Sequence, residues 1–233
     1  MRVAVLYSGG KDSTFALSWA QMQGWDVCGL VTLHSSNPHS FMFHTPNIHL
    51  VKLQAECLDL PLVFHETAGE KEKELDDLRD ALALAKRMWK IDGLVTGAVA
   101  SNYQEERINR ICHELGLKTY APLWHKGQEQ LVREMVAGGF EIVLQAVAGD
   151  GLTEEFLGRV MDDAFVDRLV LLNKKCGIHV GGEGGEYESL VLDCPLFKKR
   201  LVIEEAHIEM ENECTGVWVI EGASVNPKEV PSR

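Results

Sequence analysis

Six adjacent residues, Ser8-Gly9-Gly10-Lys11-Asp12-Ser13, combine the groups that hold a polyphosphate. Glycines let backbone approach an anion closely. A helix start offers unpaired N–H groups and the positive end of a dipole. Lys11 adds a full charge, and Ser8 and Ser13 add hydroxyl donors. Asp12 repels phosphate by itself but can hold a Mg²⁺ that bridges to it. The spacing is not that of a P-loop, which needs four residues between its glycines and then Gly-Lys-Ser/Thr. Nor is it the dinucleotide pattern G-x-G-x-x-G. The alternative is a serine–glycine turn that happens to carry a charged pair.

A second stretch stands out, Gly181-Gly182-Glu183-Gly184-Gly185-Glu186-Tyr187-Glu188-Ser189. Glycine at this density suits a tight backbone or close approach to a ligand. In extended chain Glu186 and Glu188 point the same way. Their repulsion is costly unless a cation, an ammonium-like substrate or a positive side chain lies between them. An exposed acidic loop is the alternative. His34, His39, His44 and His49 recur five residues apart. Zinc sites favour closer pairs with cysteine partners, so a loop covering adenine or substrate is the better reading of residues 34–47.

The elements that must position these groups follow from periodicity. Residues 2–7 form a short apolar run of strand length, and 13–23 read as a helix stopping at Gly24. Further strands are expected at 26–33, 61–65 and 93–97. Helices are expected at 48–58, 70–90 and 108–115, that over 70–90 being amphipathic. This alternation predicts an α/β fold over residues 1–125, a parallel sheet with helices on both faces. Ligands of such sheets bind beyond the carboxyl ends of the strands, where the Ser8–Ser13 loop, the 34–47 segment and the residues after Gly97 all fall. Past Leu123-Trp124-His125 the pattern changes to a smaller α+β domain, 126–233. It has helices at 128–137 and 153–176 and strands at 141–147, 187–192, 201–210 and 216–221. The connection 211–215 suits a longer hairpin loop, and the tail from Gly222 is expected to lack regular structure.

The chain has 233 residues, 45% hydrophobic and 25% charged, as in ordinary soluble proteins. No apolar run reaches membrane-spanning length and no signal peptide is visible. Six scattered cysteines without a C-x-x-C pair suggest reduced, mostly buried thiols and a cytoplasmic protein. A net charge of −12 argues against nucleic acid as the main partner. The β-rich end could bury itself within the chain or pair with a second copy, which leaves a homodimer open.

Ser-Gly-Gly-Lys-Asp-Ser at the end of a first strand resembles the PP-loop of the ATP pyrophosphatases, a HUP-like fold. More residues extend the likeness. They are Gly97-Ala98-Val99-Ala100-Ser101-Asn102-Tyr103-Gln104 with Arg107, Ala121-Pro122-Leu123-Trp124, and Glu183-Gly184-Gly185-Glu186-Tyr187-Glu188-Ser189 followed by Leu190-Val191-Leu192-Asp193-Cys194-Pro195-Leu196-Phe197. Together they resemble the diphthine–ammonia ligase family, to about residue 221. That resemblance implies ATP and Mg²⁺ as cofactors, with ammonium and the diphthine-bearing translation elongation factor as partners. The implied chemistry has two steps: adenylation of the diphthine carboxylate, then displacement of AMP by ammonia. Lys11 and Asp12, the latter through Mg²⁺, then serve the departing diphosphate, and Glu183, Glu186 and Glu188 the ammonia. Ser8–Ser13, Leu33, His44, Gly97, Ser101, Tyr103 and Arg107 fall on the nucleotide or substrate side. Ser101 or Asn102 as an ordinary helix cap is the alternative for the last group. A tRNA-modifying ATP pyrophosphatase and a non-catalytic nucleotide sensor are the competing functions.

Overall fold

The structure, a computed structural model, describes residues 1–35, 46–69 and 73–228. The chain divides into two compact units. One holds residues 1–52 and 60–126, the other 53–59 and 127 onward.

In the first unit, β1 (Arg2–Leu6), β2 (Asp26–Ser35), β3 (Leu62–Thr67), β4 (Gly93–Val95) and β5 (Lys118–Tyr120) form a parallel sheet in the order β3-β2-β1-β4-β5. The alternation seen in the sequence is therefore realised as a parallel sheet. The order runs outward from β1 in both directions. Right-handed crossovers then send the helix after β1 to one face and those after β3 and β4 to the other. Helix α1 (Lys11–Met22) buries Ala16, Leu17 and Ala20. Helices α3 (Lys73–Trp89) and α4 (Asn102–Glu114), which follow α2 (Val51–Leu58), cover the opposite face. There Leu75, Leu78, Leu82, Ile108 and Ile111 join Ala4, Val31, Leu33 and Leu94 in one core. The reversal of strand order falls between β1 and β4, and in such sheets that crevice receives the ligand.

Two differences from expectation lie here. Strand β5 has only three residues and too little apolar character to show in the sequence; Thr96 N–H to the Tyr120 carbonyl continues its pairing. Helix α4 starts six residues before the apolar periodicity, because the Ser101 hydroxyl caps it by accepting from Gln104 N–H.

In the second unit, β6 (Glu141–Ala148), β7 (Tyr187–Asp193), β8 (Lys199–Asn212) and β9 (Thr215–Pro227) form an antiparallel sheet, order β7-β6-β9-β8, with α5 (Gln128–Ala137) and α6 (Asp163–Cys176). Residues 53–59 belong here through Gln54, whose amide donates to the Val191 carbonyl at 2.8 Å, and through a Glu56–Lys199 ion pair at 2.8 Å.

Three expectations are corrected. Residues 153–176 are not one helix. A 3₁₀ turn (Glu154–Phe156) leads into chain that bridges to Val143 and Leu144, and only then does α6 begin. Asp162 caps α6 by accepting from Phe165 N–H at 2.7 Å. Asp162→Ala should therefore cost about 1 kcal/mol of stability, read as a lowered urea midpoint. The β8–β9 connection is a tight turn at Glu213-Cys214, with Cys214 N–H donating to the Asn212 side chain at 2.9 Å. The tail is not loose either. Strand β9 runs on to Pro227 because β8 offers partners as far as Lys199, and Lys228 then pairs with Asp193 at 2.6 Å. Proline needs no ladder N–H at a strand end. Among the described residues no helix is long and apolar enough to cross a membrane.

Candidate functional site

The loop after β1 turns at Gly9, whose φ of +80° favours glycine. Helix α1 then starts with Gly10 in the cap position and no side-chain cap, so its positive end is left for a ligand. Lys11 and Asp12 lie in the first turn rather than before the helix. Their side chains pair at 2.8 Å, with Lys11 only 3% exposed and the Asp12 carboxylate reaching the surface.

Ser8 and Ser13, expected as donors to phosphate, also hold the loop closed. Ser13 Oγ lies 3.2 Å from Ser8 Oγ, and Ser13 donates to the Gly10 carbonyl. Thr14, which the sequence reading passed over, is fully buried. It donates to the Gly10 carbonyl at 2.8 Å and lies 3.2 Å from the buried Tyr7 hydroxyl. A hydroxyl four residues after the turn was the available signal.

Gly97 follows β4 and rests on the start of α1. A Cβ there would stand 2.6 Å from Ser13 N and 2.7 Å from the Asp12 carbonyl carbon. The close approach of two backbones, across the β1/β4 reversal, explains the residue. Leu33 is buried at the carboxyl half of β2. On α4 the Arg107 guanidinium lies 3.5 Å from the centre of the Tyr103 ring and donates to the Tyr103 carbonyl, so the two share one face. Ser101 is committed to its cap. His44, with His39, lies outside the described residues.

Phosphate chemistry fits this cradle. A metal held by protein alone does not. Among the described residues no three His, Cys, Asp or Glu side chains gather to hold an ion. A Mg²⁺ at Asp12 would arrive with the nucleotide's phosphates, as that ion usually does.

The second unit carries the glycine-rich stretch as a clasped loop. Glu186 precedes β7, so it does not stand beside Glu188 on extended strand as expected. Instead its carboxylate turns back into the loop. Oε1 accepts from His179 N–H at 2.8 Å and contacts His179 Nδ1 at 2.7 Å, and Oε2 accepts from Gly184 N–H at 2.8 Å. Gln128 accepts from Gly181 N–H at 3.0 Å, and the Tyr187 hydroxyl donates to the Val180 carbonyl at 2.7 Å. Burial works to raise the Glu186 pKa. The backbone N–H donors and the His179 ring outweigh it and hold the carboxyl below its ordinary value of 4.5.

A depressed carboxyl pKa contributes stability that is complete above the unfolded value and is lost as pH falls through the folded one. The stability gap between wild type and Glu186→Gln should therefore be full at pH 6 and shrink steadily below pH 4.5, read from urea unfolding at each pH. A gap that is flat with pH would refute the role of the ionised carboxylate. His179 and Gln128 were missed in the sequence; the histidine two residues ahead of the glycines was the only hint.

Comparison with known proteins places the chain. The model described as the diphthamide synthase N-terminal domain matches residues 1–119, and that of the diphthamide synthase C-terminal domain matches 127–225. The chain is 40% identical to a Schizosaccharomyces pombe protein named diphthine–ammonia ligase, over 89% of this chain and 37% of that protein. Rattus norvegicus and Homo sapiens proteins of the same name are 37% and 35% identical, over 88% and 89% of this chain and 83% and 85% of theirs. The chain thus spans little more than a third of the fission-yeast relative and most of the two mammalian ones. With both domain models matched in order and along most of its length, the chain belongs to the diphthamide synthase family.

Proposed function

We propose that this protein is an ATP-dependent amide ligase that converts diphthine on the translation elongation factor to diphthamide. The observation that carries the reading is the glycine turn at the β1/β4 reversal, with buried Lys11 in the first turn of an uncapped helix. Relatives named diphthine–ammonia ligase supply the acceptor.

The diphthine carboxylate attacks the α-phosphorus of ATP, giving an acyl-adenylate and diphosphate. The N–H groups of residues 9–13 and the Lys11 ammonium stabilise charge on the departing diphosphate. Asp12 would hold Mg²⁺, which supplies further charge neutralisation on the phosphates. The backbone near Leu33 meets adenine, and Tyr103 and Arg107 lie on the nucleotide or substrate side. Glu183 and Glu188 draw ammonium to the second unit's loop, which Glu186 keeps in shape. Ammonia attacks the acyl-adenylate carbonyl and AMP leaves. The work belongs in the cytoplasm, where the elongation factor acts.

A sulfur-transferring tRNA enzyme would need a reactive thiol. Burial pushes Cys57 and Cys194 up to about 11 and raises Cys28 and Cys112, so these four are poor candidates for that thiol.

The test is release of AMP and diphosphate from ATP with ammonium, with and without the diphthine-bearing factor. Release that requires the factor, together with conversion of its carboxyl to an amide, is the expected result. Release indifferent to the factor would overturn the acceptor.

A further inference from the structure

Among the described residues, one nitrogen of the His179 ring has a partner and the other has none. Nδ1 lies 2.7 Å from Glu186 Oε1, and the same oxygen accepts the His179 backbone N–H. An ionised carboxylate only accepts. With Glu186 held ionised by its N–H donors, the proton of this contact sits on Nδ1, and in the neutral tautomer that the contact selects the lone pair is on Nε2. The His179 side chain is 53% exposed, while that of Glu186 is 13% exposed. The carboxylate is thus the buried, orienting partner and the imidazole the outward one.

The surrounding chain protects this arrangement. A Cβ at Gly184 would stand 2.6 Å from Glu186 Oε1 and 2.8 Å from His179 Nδ1, so a larger residue there would have to displace one or both side chains. Asn173 donates to the Ile178 carbonyl at 2.6 Å, and Tyr187 to that of Val180. The backbone is therefore tied on both sides of His179. A carboxylate that fixes the tautomer of a histidine and leaves its far nitrogen basic is the arrangement of a general base.

We propose that His179 is the base that takes a proton from ammonium in amide formation, with Glu186 as its positioning residue; this rests on the amide-ligase reading above. Ammonium has no lone pair and cannot attack. Nε2 accepts one of its protons, leaving ammonia and an imidazolium that Glu186 stabilises. The nitrogen lone pair forms the bond to the acyl carbon. The bond from that carbon to the adenylate oxygen breaks, and its electrons leave with AMP. The second proton, on the newly formed amide nitrogen, passes to solvent. Among the described residues Glu186 is the charged group in contact with the ring; Glu183 lies on the same loop and Glu188 near the start of β7.

The test compares two nucleophiles on the full chain with ATP and the diphthine-bearing factor. Hydroxylamine is largely neutral near pH 7 and needs no base, whereas ammonium does. In His179→Asn the shorter amide keeps a donor where Nδ1 stands and removes Nε2. Amide formation from ammonium should fall by about 10²-fold, with the KM for ATP unchanged. Hydroxamate formation should stay within about threefold of wild type.

Equal loss with both nucleophiles, or loss with neither, overturns the proposal. If His179→Asn fails to fold, judged by thermal unfolding, His179→Gln serves instead. Its amide stands near the Nε2 position without basicity, and the same split is required of it. Failure of the ligase reading looks different: the wild-type chain itself would form neither amide nor hydroxamate, and the proposal would fall with it.

Discussion

Lys11→Met should lower release of AMP and diphosphate by about 10²–10³-fold, the range seen when one preorganised donor to developing charge is removed. Methionine keeps the packing of the stem, which matters because Lys11 is 3% exposed. What it removes is the ammonium. Asp12 loses its partner at 2.8 Å, but its carboxylate remains in the first turn of α1, where the helix dipole favours negative charge. Stability should therefore drop by only about 1 kcal/mol. The combination to look for is a folded, cooperative protein whose urea midpoint falls only slightly, with almost no diphosphate release. Substantial remaining turnover would remove Lys11 from the charge-stabilising role. A lost transition would mean that the lysine serves folding first.

Gly97→Ala should be nearly as damaging for a different reason. The glycine's φ is not in the left-handed region, so backbone conformation is not the obstacle. Space is. The added carbon would meet Ser13 N, the Asp12 carbonyl carbon and Ser13 Cα, all at 2.9 Å or less. These are backbone atoms of α1 and cannot swing away as a side chain could. Either β4 or the start of α1 must shift. Overpacking of this kind costs about 1–3 kcal/mol. Displacing the N–H groups proposed to bind phosphate by a fraction of an ångström to an ångström can cost about 10²-fold in rate. Thermal unfolding and ATP turnover, measured on the same sample, should both fall. A variant with wild-type turnover would show that the loop has slack at this contact.

The site was legible in unequal parts. The Ser8–Ser13 loop could be singled out because its chemistry is local: two glycines, a lysine and an aspartate lie within six residues, between an apolar strand and a helix. The clasp around Glu186 could not, because it depends on which way one side chain turns. Alternation predicted Glu186 beside Glu188. The backbone leaves extended geometry just before Tyr187, and N–H groups of His179 and Gly184 capture the carboxylate. Gln128 was invisible for a related reason, since it meets Gly181 from 53 residues away. Strand β5 was missed because three residues carry no period, and the full length of β9 because its partner β8, not its own composition, extends it.

The sequence by itself determined the α/β character of the first part, the glycine turn ahead of a helix, the change of pattern after residue 125 and the family. Each is written in composition, period or short motifs, which survive without coordinates. Only the tertiary structure decided that β1 and β4 flank the reversal of strand order and that Gly97 is a contact between backbones. It alone showed that residues 53–59 fold with the second unit and that His179 carries Glu186 at its back. These depend on hydrogen bonds and van der Waals contacts between residues far apart in the chain, and spacing along a sequence does not encode such distances.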